Sequence, residues 1–282
     1  MTTTNQADFY FPVEVIDNEH KTNPEYSKII KANIKGYEWH LNYCSPRYEL
    51  VKNEDIFPNI EDVLSSNNIS YEASYKMINR VRFYADYILN DDDFLHTIEG
   101  TNDKIYPKLS VQHSYNGMTK YAINFGYFRL ICSNGLVIPI QEMKKYNLSI
   151  IGKHTAQILS SFNKLDEMLN KFVDKKQQIG LAITAKYKQL TDVWVTKPED
   201  RLKEILEGTK IRAVENKNFN TVDHIMNIVI GEANNQDLGY GGKINDWLIY
   251  NGINQYINDD DRYKSAPETR AKKDQEVLSF ML

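Results

Sequence analysis

Residues 106–139, YPKLSVQHSYNGMTKYAINFGYFRLICSNGLVIP, constrain the fold more than any other stretch of the chain. Two long runs flank the pair Asn116-Gly117, and both of those residues tolerate the positive φ of a type I′ turn. The pattern predicts a β-hairpin. It closes on a compact polar signature, Arg129-Leu-Ile-Cys132-Ser-Asn134-Gly135. The residues before this hairpin read mostly as further sheet, and those after it read as helices laid on that sheet.

Upstream, Asn23 fits an N-cap and Pro24 the first position of a short helix carrying Ile29, Ile30 and Ile34, with Gly36 as its stop. A strand over 37–43 and a helix over 56–65, with Ile60, Val63 and Leu64 on one face, come next. From 69 to 89 the period is two. Val81, Phe83, Ala85, Tyr87 and Leu89 point one way, and Arg80, Arg82, Tyr84 and Asp86 the other. An arm over 71–76 pairs with this strand through a turn near 77–79. Downstream, Thr155 fits the N-cap of a helix over 155–174 whose apolar stripe runs through Ile158, Leu159, Phe162, Leu165, Leu169, Phe172 and Val173. Further helices are expected over 179–190, 198–208, 220–230 and 245–257. The stretch 258–274 reads as polar and mobile, ahead of apolar residues at 277–282 that dock on the rest. The class is α+β, with an antiparallel sheet in 1–150 and helices in 151–282 packing on it.

Composition excludes several classes. No apolar run approaches the roughly 18 residues needed to cross a bilayer, and MTTTNQADFY has no leader-like pattern. Cys44 and Cys132 form no CxxC motif and suit a reducing compartment, so a cytoplasmic protein is expected. The carboxylate runs Asp91-Asp92-Asp93 and Asp259-Asp260-Asp261 do not read as metal sites. A calcium loop starting at Asp91 needs Gly where His96 stands and Glu where Asn102 stands. The six histidines show no ligand spacing. Gly239-Tyr-Gly-Gly-Lys243 has Ile244 where a phosphate loop needs Ser or Thr, so it reads as a linker turn. No metal and no cofactor are expected.

The net charge of −4 does not advertise a nucleic-acid binder, yet a local basic face matters more than the sum. Lys76, Arg80, Arg82 and Tyr84 fall on the expected solvent side of the sheet, with Tyr106, Lys108, Lys120, Tyr127 and Arg129 on neighbouring strands. Cations interleaved with rings are what single-stranded nucleic acid requires. In that reading Lys76, Arg80, Arg82, Lys120 and Arg129 meet phosphates, and Tyr84, Tyr115 and Tyr127 stack on bases. A competing reading is an enzyme whose site gathers Arg129, Cys132, Asn134, His113 and His154. It needs a Cys–His pair within hydrogen-bond reach.

The chain resembles a phage- and plasmid-borne family known as domain of unknown function 932. The resemblance rests on Arg47-Tyr48, then Val51-Lys-Asn53 and a helix, Ser114-Tyr-Asn-Gly117, Arg129-x-x-Cys132-x-Asn134, Lys153-His154-Thr155 and Trp247-x-x-Tyr250-Asn251. Gly135 and Lys153 stand where the family often has Thr and Arg. The family name carries no established activity. The element order, antiparallel strands followed by a long packing helix, also resembles phage single-strand annealing proteins of the Rad52 type. Together the resemblances imply a phage-encoded single-stranded DNA-binding protein of recombination or annealing, a homo-oligomer in the cytoplasm of a bacterial host. Arg47, Asn116, Gly117, Cys132, Asn134 and His154 would then be structural. A phage protein that binds a host factor is a third reading.

Overall fold

The chain begins with a small sheet that the sequence only half announces. The computed structural model describes residues 6–20, 23–129, 149–152, 161–216, 219–259, 263, 265 and 267–282. A helical turn, α1 (Gln6–Phe9), leads into β1 (Val13–Asp17), β2 (Lys28–Ile34) and β3 (Tyr37–Cys44), which form an antiparallel sheet in that order. The helix expected over 23–36 is therefore mostly strand. Asn23 does cap a turn, accepting from the Glu25 N–H, but the turn is a single 3-10 turn ending at Tyr26. Ile29, Ile30 and Ile34 suit helical spacing and β-branched strand preference equally. Lys35 and Gly36, both at positive φ, decide for the strand by turning the chain into β3.

Next come α2 (Phe57–Ser66), β4 (Tyr71–Ile78), β5 (Arg82–Leu89), the two-residue β6 (His96–Thr97), β7 (Lys104–Ser114), β8 (Tyr121–Arg129) and β9 (Ser149–Gly152). The main sheet has the order β4-β5-β7-β8-β9, all antiparallel, with β6 added to β7. The central hairpin is real, but its connection is wider than a two-residue turn. Gln112 pairs with Ala122, and Tyr115 is drawn inward from the loop by its N–H bond to the Val81 carbonyl. Gly117 keeps the expected positive φ. Phe83, Ala85, Tyr87 and Leu89 are buried as their alternation requires.

On that face lies α3 (Ser161–Thr191), one continuous helix of 31 residues where two were expected. The polar stretch 175–178 does not interrupt it, because Lys and Gln are good helix formers. The stripe Leu165, Leu169, Phe172 resumes at Ile179 and Ile183. Between them Lys176 extends over the Phe94 ring to reach Asp93 at 2.9 Å. Three helices come close to expectation: α4 (Pro198–Gly208), α5 (Thr221–Ala233, capped by Asn220) and α6 (Asp246–Asn258, capped by Asn245). The segment 258–274, read as polar and mobile, includes the first half of α7 (Pro267–Met281). There Arg270 holds the carbonyls of Asn258, Tyr263 and Ser265. Asp274 is buried and accepts from the Tyr250 hydroxyl and the Asn254 amide, with burial pushing its carboxyl up to about 7. Val277 and Leu278 dock in the core. Among the described residues no helix is long and apolar enough to cross a membrane.

Gly252 sets how closely α5 and α6 approach. A Cβ there would lie 2.6 Å from Val229 Cγ2 and 3.1 Å from Ile225 Cγ2. Gly→Ala inside a helix ordinarily gains about 1 kcal/mol, whereas overpacking costs about 1–3 kcal/mol. Gly252→Ala is therefore expected to lower stability by about 1 kcal/mol in urea unfolding, and adding Val229→Ala should cancel the clash component of that loss.

Candidate nucleic-acid interface

The eight residues read as a nucleic-acid face separate into two groups and one turn residue, Arg80. Four of them gather at one end of the main sheet, where β4 and β7 finish and β5 and β8 begin. Lys76 sits opposite Tyr84, and Arg82 lies between Ile78 and Ser114 on the same outward face. Lys120 is exposed just before β8, and its carbonyl accepts from Gln112 Nε2 at 3.1 Å. The Tyr84 hydroxyl lies 3.3 Å from Thr119 Oγ1, which ties the ring to the hairpin loop. Arg80 is not on the strand. It occupies the β4–β5 turn at φ 60°, is exposed, and lays its guanidinium 3.7 Å from the centre of the Trp39 ring.

Further along the outward face the charges cancel. Lys108, counted among the sheet's cations, is buried and paired with Asp86 at 2.8 Å. Ser110 also donates to Asp86.

Tyr115, Tyr127 and Arg129 form the second group, and all three are buried. They correct the expectation that they reach solvent. The Tyr115 hydroxyl accepts from the Asn53 N–H, while its carbonyl accepts from the Tyr48 hydroxyl. Tyr127 shares the inward side of β8 with Tyr121, Ile123 and Phe125, by plain alternation from a register that pairs Ile123 with Val111.

Arg129 ends β8 inside a buried polar cluster. Its Nε donates to both Asp103 oxygens at 2.8 and 2.7 Å, and its Nη1 meets Glu232 Oε2 at 2.7 Å. Asp103 also accepts from Trp247 Nε1 at 2.8 Å and from the Tyr240 hydroxyl at 3.2 Å. Burial raises the Glu232 pKa, and the neighbouring Arg129 charge opposes that rise. The guanidinium is thus held by two carboxylates within the fold and does not present itself to phosphate.

His113 is likewise committed. Its Nε2 lies 3.0 Å from the Val51 carbonyl, its ring stacks on Phe83, and burial lowers its pKa to about 4, so the imidazole is neutral near pH 7. Of the proposed enzyme site, Cys132, Asn134 and His154 lie outside the described residues. Asn116 caps its own loop by accepting from the Met118 N–H. Arg47, read as structural, is exposed, and its neighbour Tyr48 makes the inward contact. Among the described residues no group of three His, Cys, Asp or Glu side chains is arranged to hold a metal.

Asp103, Glu232 and Trp39 are the residues that sequence reading passed over. The acids carried no signal, because their partner Arg129 is 26 and 103 residues away. Trp39 was visible only as part of a strand.

Removing one member of a buried pair leaves the other charge uncompensated, at about 3–5 kcal/mol. Asp103→Asn is expected to fall toward that range in denaturant unfolding. Glu232→Gln should cost clearly less, since its carboxylate is partly exposed and already shifted toward the neutral form. The two motif segments carrying Arg129 and Trp247 thus meet on one carboxylate despite their separation in sequence. No curated protein and no solved structure matches the chain. A family model described as "Domain of unknown function (DUF932)" matches residues 40–279, a range containing Asp103, Arg129, Glu232 and Trp247, and the chain belongs to that family.

Proposed function

We propose that this protein binds single-stranded DNA through the sheet end that carries Lys76, Arg82, Tyr84 and Lys120, with Arg80 at its rim. The observation that supports the reading is the clustering of these residues at one end of one sheet face, on a chain whose net charge is −4. Lysine and arginine there meet phosphates without specifying sequence, and Tyr84 supplies a ring on which a base stacks. Arg129, Tyr115 and Tyr127 take no part and hold the strands that display the others. In its fuller form the proposal is a phage-encoded recombination or annealing factor, acting as a homo-oligomer in a bacterial cytoplasm.

The test is fluorescence-polarisation binding of a labelled single-stranded oligonucleotide across a salt series. Affinity should fall with salt at a log–log slope of about −0.7 per phosphate contact. Lys76→Ala/Arg82→Ala should weaken binding at low salt and make that slope shallower by about 1.4 if each residue meets one phosphate. Wild-type protein that fails to bind at low salt, or a folded double variant with unchanged affinity and slope, would end this reading.

A further inference from the structure

We infer that Trp39, capped by Arg80, is a stacking site for an unpaired nucleobase, and that it carries the single-strand path off the β4–β5 turn onto β3. The inference rests on the single-stranded DNA reading and adds to it a residue and a surface outside the main sheet.

The register of β3 places its aromatic rings. Tyr37 pairs with Ile34 and Trp39 with Ala32, so both project from one face, at 72% and 38% exposure. Glu38 projects from the other face, where Lys31 pairs with it at 2.6 Å. The carboxylate nearest in sequence to Trp39 is therefore turned away from the ring and neutralised. A half-exposed tryptophan beside a core is an incomplete burial, and here a cation covers part of it. The turn holding that cation is built at a cost. Asn79 and Arg80 both have positive φ, 52° and 60°, and the left-handed region is unfavourable for a side chain such as that of Arg80. The Val81 N–H bond to the Ile78 carbonyl closes the turn and fixes this geometry.

The β4–β5 turn joins this site to the proposed interface along the chain. Arg80 is followed two residues later by Arg82, and Lys76 and Tyr84 form the next outward pair along the same hairpin. A strand lying on Lys76 and Arg82 and passing the turn meets the guanidinium first and the indole beneath it. A stacked guanidinium keeps N–H edges for a phosphate while its partner ring keeps area for a base, the pairing of functions single-strand binders use. The competing occupant is a second copy of this chain pairing with the edge of β3, which no strand among the described residues covers. The bulge in β3 opposite Ile30 and Lys31 interrupts the ladder such pairing needs, and bulges blunt edges. The geometry favours nucleic acid. Because every base offers a π face, the site should not discriminate sequence.

The experiment compares a single-stranded oligonucleotide with an abasic strand of equal length, using the full chain. Trp39→Ala should weaken the base-bearing strand on the order of tenfold and leave abasic affinity and the salt slope unchanged. Trp39→Phe should restore most of the loss. If wild type binds and Lys76→Ala/Arg82→Ala weakens it, yet Trp39→Ala does not, the stacking site is refuted and the interface stands. Equal weakening on both strands also refutes it, as does a change of oligomeric state in light scattering with base-bearing affinity intact. Wild-type protein that binds neither strand refutes both readings.

Discussion

The Asp103–Arg129 ion pair is the contact on which the arrangement of sheet and helices depends. An unpaired charge at zero exposure costs several kcal/mol, so Asp103 persists only because Arg129, Trp247 and Tyr240 all donate to it. These donors come from three places: the end of β8, the first turn of α6 and the loop between α5 and α6. Glu232 adds α5 through the same guanidinium. Satisfying one carboxylate therefore fixes where two helices sit against the sheet. The indole that reaches Asp103 also packs on Tyr187 of α3 at 4.6 Å, which brings the long helix into the same junction.

The two ends of the central hairpin consequently do different work. One end, where β7 starts and β8 stops, is enclosed by helices. The other end, where β7 stops and β8 starts, carries Gln112, Lys120 and the loop over which Tyr84 leans. β7 has 11 residues, and at about 3.4 Å per residue the ends lie roughly 35 Å apart. The buried end ties the hairpin to the helices while the far end presents side chains outward, and that is how an interior ion pair can support an exposed surface. Tyr115 shows the same division within one loop: its ring and carbonyl are spent on Asn53 and Tyr48, whereas Met118 beside it is 73% exposed.

Much of the fold was legible because its signals are local. Pro198, the helices expected from 220 and from 245, and the period-two run from Val81 to Leu89 each mark structure within a few residues, and each is found close to where expected. The misreadings arose where a local pattern had two solutions or needed a distant partner. Ile29, Ile30 and Ile34 fit either period, and only the turn at Lys35-Gly36 breaks the tie. Lys176 hid the stripe of α3 because its ammonium lies over the Phe94 ring and pairs with Asp93, contacts that its own sequence neighbourhood does not show. Tyr127 and Arg129 were readable in principle, since they share parity with Ile123 and Phe125. Counting cations without applying that parity put them on the wrong side. Of the candidate interface, Lys76, Arg82 and Tyr84 were legible from alternation, but Trp39 was not, because a turn folded back over another sheet leaves no trace in either strand's pattern.

The same geometry explains why net charge is a poor guide for this chain. Several of its carboxylates are set against particular cations: Asp86 against Lys108, Asp93 against Lys176, Asp103 against Arg129, Asp246 against Arg201. Such pairs contribute little field beyond their own neighbourhood, because opposite charges within about 3 Å act at a distance as a dipole in a screening solvent. What a passing polyanion senses is the charge within roughly a Debye length, about 8 Å at physiological salt. Around the β4–β5 turn that neighbourhood holds Arg80 and Arg82 at the hairpin tip. Glu38, the acid nearest Trp39 in sequence, is turned to the opposite face and bound to Lys31. The acidic total and the basic tip are therefore consistent, since the pairing of charges inside the fold decides which of them the surface shows.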